Sequence, residues 1–163
     1  MWLRRWLFDR GDNLAGGIYG TILVTSIVAA ADGSVEIWRS LGIVEVTVIV
    51  FWLAHVYANA LAWRLDSNEG FSRANLGRIA AGEWPLLQAA IVPSIALLAG
   101  ALGLISARAA YWIAIGFGVV ALISWGFIFA RKERMSVLAT TAVVVINASF
   151  GLCIVLLKEF VSH

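Results

Sequence analysis

Charge is scarce in this 163-residue chain: 13% of its residues are charged, 61% are hydrophobic, and the mean hydropathy is +0.89. A soluble domain of that length needs far more polar surface, so a soluble globular fold is excluded. Cysteine is nearly absent. Cys153 stands alone inside an apolar run, which excludes an internal disulfide, a CxxC redox pair and a cysteine zinc site. Histidine is nearly as rare, with two residues, and His55 is the only one inside an apolar run, so one chain cannot supply bis-histidine haem ligation. There is no HExxH, no glycine-rich phosphate loop, no Ser/His/Asp arrangement and no pair of intramembrane carboxylates. Asp66, Asn68 and Gly70 look faintly like a calcium loop, but the spacing fails. No catalytic residue, metal or cofactor is therefore expected, and an enzyme is not the expected class. A net charge of +2 gives no basis for binding nucleic acid.

What the chain does have is long apolar runs. A helix rises 1.5 Å per residue and the hydrocarbon core is about 30 Å thick, so about 20 apolar residues cross it. Five runs qualify: 13–31, 43–63, 84–107, 109–130 and 135–157. The first has no small-residue cleavage site, so a removable signal peptide is not expected. Basic residues alternate between the connections. Arg4, Arg5 and Arg10, then Arg64, Arg73 and Arg78, then Arg131, Lys132 and Arg134 fall on one side, while Arg39, Arg108 and Lys158 fall singly on the other. The positive-inside rule then predicts an all-α, polytopic bundle of five transmembrane helices in the plasma membrane, N-terminus cytoplasmic and C-terminus external. Trp2, Trp6, Trp38, Trp63, Trp84 and Trp112 at or near the span ends fit interfacial anchoring. Residues 1–10, with arginines around Trp2 and Trp6, read as an interfacial helix on the lipid surface. FSRANLGRIAAG reads as a second, with Ser72 as its N-cap.

Lipid tails are as apolar as leucine, so small residues that allow close backbone approach must help helices associate. Gly16 with Gly20, and Gly100 with Gly103 beside Ala96 and Ala99, are such stripes; they suit either internal packing or a homo-oligomer seam. Pro93 breaks a backbone hydrogen bond inside the third span and frees the carbonyl of Ala89. Polar side chains at membrane depth are the candidate functional residues. In the second span Glu45, Val48, Trp52, His55, Asn59 and Ala62 follow one helical face. Depth counting adds Gln88, Thr21, Tyr19 and Asn147, giving a candidate polar ladder of Gln88 and Asn59, His55 and Thr21, Asn147, then Glu45, with Tyr19 at its lower end. An imidazole is the side chain suited to proton exchange near neutral pH. Two readings follow: a small transporter or channel-like protein for protons or a small ion, or a non-transporting scaffold or accessory subunit whose polar residues only bond helices together.

GGIYGTILVTSIVAAA resembles the first span of the vacuolar iron transporter family, a GANDGIVTT-like segment running into small residues and valines. LAHVYANALAWRL can be laid over that family's LADGFSMAAGEYL-like second span, and the last three spans are similar in hydropathy. The resemblance implies the same five-span layout. The family's first-span Asp falls on Tyr19, and its second-span Asp, Met and Glu fall on His55, Asn59 and Trp63. The resemblance therefore carries over a pathway position but not a hard-metal site.

Overall fold

The computed structural model describes residues 14–31, 36–67 and 72–161. The interfacial segment expected at residues 1–10 lies outside them. Six helices and no strand are found among the described residues: α1 (Leu14–Ala30), α2 (Ile37–Ser67), α3 (Arg73–Gly82), α4 (Trp84–Ala101), α5 (Ala107–Lys132) and α6 (Val137–Val161). Helices α2, α4, α5 and α6 are each long and apolar enough to cross a membrane, and α1 is apolar but shorter. The chain is a multi-pass membrane protein. Its outer surface agrees, because large apolar side chains such as Val46, Val50, Leu53, Phe127 and Leu152 point away from the bundle.

Helix α1 is the centre of the bundle. Gly16, Gly17, Gly20, Thr21, Val24, Thr25, Val28 and Ala29 are all buried, so nearly half of the helix faces protein. Helices α2, α4, α5 and α6 follow one another around it, each packed on the next, and α1 touches all four. The arc does not close: α2 and α6 make no extended contact, which leaves a gap floored by α1. Close approach is set by glycine. A Cβ on Gly17 would stand 2.7 Å from the Trp125 ring, and one on Gly20 would stand 2.7 Å from the Leu86 carbonyl oxygen. Gly118 receives Thr25, and Gly126 receives Asn147. These pairings run α5 antiparallel to both α1 and α6.

Polar contacts hold each end. At one end Lys158 Nζ of α6 donates to the Ala31 carbonyl, just past α1. The same ammonium lies 5.6 Å from the centre of the Tyr111 ring of α5. The Tyr111 hydroxyl in turn donates to Ser40 Oγ of α2 at 2.7 Å. Gly100 of α4 packs against Ile37 and Ala110 at the same level. At the other end Asn59 Nδ2 of α2 donates to Glu83 Oε1, between α3 and α4, at 2.9 Å. The nineteen residues from Ser40 to Asn59 rise about 28 Å. The eighteen of α4 rise about 27 Å. The two clamps are therefore separated by about one hydrocarbon thickness. Arg64, Arg73, Arg78, Arg131, Lys132 and Arg134 lie towards the Glu83 end, and Arg39, Arg108 and Lys158 towards the Lys158 end.

Several expected boundaries move. The turn placed at Arg108 lies at 102–106 instead, because Gly103 adopts φ 74° and the Ser106 hydroxyl caps α5 by accepting from Ala109 N at 3.2 Å. Arg108 is thus in the first turn of α5, and Gly103 lies in the turn rather than on a helical stripe with Gly100. Helix α2, expected at 43–63, is 31 residues long and extends past the clamp at Asn59. Pro93 lies inside α4 and is buried. Ser72 does cap α3, accepting from Asn75 N at 3.1 Å.

Candidate functional site: the open face of α1

Two adjacent observations define the site. Opposite its buried face, α1 exposes Ala15, Tyr19 and Ala30 and partly exposes Ser26, at spacings of four, seven and four residues. That face is the floor of the gap between α2 and α6. Tyr19 is 61% exposed, although it lies twelve residues below Ala31, about 18 Å from that clamp.

His55 stands beside it from the α2 wall. The ring centres of Tyr19 and His55 are 6.2 Å apart, and Phe51 lies 5.8 Å from the same imidazole. His55 Nδ1 is 3.0 Å from the Phe51 carbonyl oxygen, so it donates there and leaves Nε2 directed elsewhere. Asn59, one turn nearer the arginine-rich end, binds Glu83 as described above. Tyr19, His55 and Asn59 thus form a polar stretch on the outside of the bundle, with the buried Glu83 carboxylate at its foot.

The other ladder residues lie elsewhere. Thr21 is buried and its hydroxyl donates to the Gly17 carbonyl at 2.7 Å; Thr25 repeats this on Thr21 at 2.6 Å. Asn147 is buried against Gly126 and its amide donates to Val143 O at 3.0 Å. Gln88 and Glu45 are half-buried on α4 and α2. No hydrogen bond joins one of these seven residues to another among the described residues. The inner face of α2 also differs from the expected one. It runs through Ser40, Val44, Val48, Trp52 and Ala60, so Glu45 and Asn59 lie at its edge rather than on it.

Four residues in the clamps were not candidates from sequence: Ser40, Glu83, Tyr111 and Lys158. In the sequence Glu83 only bounds the run 84–107, and Lys158 bounds the run 135–157 and counts towards the orientation, although a charged residue next to an apolar run is also where a helix end can be tied down. Trp52 carried a hint, being a tryptophan far from either span end; its indole donates to Ala80 O of α3 at 3.3 Å. Among the described residues no three His, Cys, Asp or Glu side chains come together as a metal site. No protein-family model matches the chain, and no curated protein or solved structure is significantly similar to it.

Proposed function

We propose that the protein spans the plasma membrane five times, N-terminus cytoplasmic and C-terminus external, pairs with a second copy across the open face of α1, and moves protons or a small ion along that seam. The concentration of arginine at the Glu83 end supports the orientation. The clamp spacing supports α1 as the fifth span, since α1 runs between the same two levels as its neighbours.

The observation that carries the reading is the Tyr19–His55 pair on the outside of the bundle at hydrocarbon depth. Polar and ionisable groups left facing lipid are costly, and they tend to line a pathway or meet a partner. A second copy offering the same face would cover both pairs and place two imidazoles along one two-fold seam. Of the four positions onto which the family resemblance maps, Tyr19, His55 and Asn59 belong to this polar stretch, whereas Trp63 lies further along α2.

The test combines two readings of one preparation. In a Cys153→Ser background, Ala15→Cys should cross-link two copies, whereas Val50→Cys on the far side of α2 should not. In liposomes with an imposed pH gradient, wild-type protein should carry flux that His55→Ala and Tyr19→Phe reduce at least several-fold. Absence of wild-type flux, or unchanged flux in both variants, overturns the transport reading.

An accessory-subunit role has one observation in its favour. Thr21, Thr25 and Asn147 bond carbonyls of their own helices, so the bundle centre holds no continuous polar path. In that case Ala15→Cys would cross-link to a different protein in native membranes, and the purified chain would carry no flux.

A further inference from the structure

The crevice at the Lys158 end lies away from the Tyr19–His55 pair and has a different chemistry. It opens between the end of α1 and the start of α2, has a volume of about 290 Å³, and is lined by Ile27, Val28, Ala30, Ala31, Ser40, Ile43 and Val44. Six of the seven are hydrocarbon side chains. Its size suits one segment of a flexible chain rather than a compact drug-sized ligand.

The seventh residue supplies the polarity. Ser40 is 95% buried, since only 5% of it is exposed. Its oxygen accepts the Tyr111 hydroxyl hydrogen, and its own hydrogen has no acceptor among the described residues. A buried hydroxyl donor beside an apolar slot calls for an acceptor. Its level in the bilayer narrows the choice. Ser40 is about 28 Å from Asn59 along α2, at the boundary where hydrocarbon ends. A molecule with a hydrocarbon chain below that boundary and an ester carbonyl at it is a diacyl phospholipid.

We propose that this crevice is a phospholipid site, in which one acyl chain lies along Ile27, Val28, Ile43 and Val44 and its ester carbonyl accepts from the Ser40 hydroxyl. Tyr111 donates to the Ser40 oxygen, which leaves the serine hydrogen to be donated to the ester carbonyl. Among the described residues Ala30, small and exposed, stands where the crevice meets the surface. Affinity comes chiefly from burial of the chain's methylenes, and the ester bond sets its register.

The full chain, purified in mild detergent and delipidated, is titrated with diacyl phosphatidylethanolamine and with its diether analogue, and bound lipid is counted by native mass spectrometry. One diacyl molecule per chain is expected. Ala30→Trp, a change at an exposed position, should lower retention at least ten-fold by blocking the mouth. Ser40→Ala should lower it several-fold. Tyr111→Phe, which removes the same hydrogen bond but keeps the serine hydroxyl, should retain most binding and thus separates loss of the donor from a general loosening of the helix ends. The diether analogue, lacking the carbonyl, should bind wild type no better than the diacyl lipid binds Ser40→Ala. Retention unaffected by Ala30→Trp, equal binding of the two lipids, or occupancy by detergent or free fatty acid alone would overturn the site. Lipid counting is independent of flux and of pairing, so the outcome stands apart from the fate of the transport reading.

Discussion

Replacing Gly20 by alanine tests the packing of α1 most sharply, because its neighbour cannot move aside. The new Cβ would lie 2.7 Å from the Leu86 carbonyl oxygen, 2.9 Å from Ala89 Cβ and 3.0 Å from Leu86 Cα. Two of those three atoms are backbone, so relief requires α1 and α4 to separate by roughly half an ångström along their seam. A gap of that size forfeits about a quarter of the dispersion well of each contact it opens. The total expected is about 1–3 kcal/mol, the usual range for overpacking a close-packed interior. Gly116 is the control. It is exposed on α5 with nothing within 4 Å of an added Cβ, and alanine there should be neutral or stabilise by up to about 1 kcal/mol through helix propensity. Thermal and chemical unfolding of both variants in one detergent compares them directly. Equal stability of Gly20→Ala and Gly116→Ala would refute the claim that α1 and α4 touch backbone to backbone.

Two further outcomes follow from the polar contacts. Trp52→Phe removes the indole donor to Ala80 O, and no residue of α3 is buried; its amides should exchange with solvent several-fold faster while those of α5 stay unchanged. Asn147→Ala removes a side chain whose hydrogen bond returns to its own helix, so it should cost under about 1 kcal/mol and leave any proton flux intact; a large loss of flux would place Asn147 on the pathway after all.

Hydropathy made the helices legible because hydrocarbon thickness imposes a length that few other constraints imitate. Its resolution was poor at the turn between α4 and α5. Arg108 looked like the boundary, whereas the local chemistry of Gly103 and Ser106 ends one helix and caps the next several residues earlier. Ser72 shows the converse, a cap readable from sequence because the hydroxyl and the helix it caps are neighbours in the chain. Depth along a helix could also be counted, and it set His55 level with Thr21, whereas the ring that lies beside the imidazole is that of Tyr19. Direction around the helix could not. Tyr19 and Thr21 are two residues apart, yet one is exposed to the gap and the other lies in the core, because which side of α1 faces protein depends on how four other helices surround it. The clamps were invisible for the same reason: Lys158 and Ala31 are 127 residues apart.

Side-specific labelling tests the proposed topology most directly. In a Cys153→Ser background, Gly77→Cys on α3 and Leu104→Cys in the turn after α4 each place one exposed thiol at opposite ends of the bundle. A membrane-impermeant maleimide added to intact cells should modify Leu104→Cys at once and Gly77→Cys only after permeabilisation. Modification of both from the same side would contradict a bundle whose two clamps lie one bilayer apart.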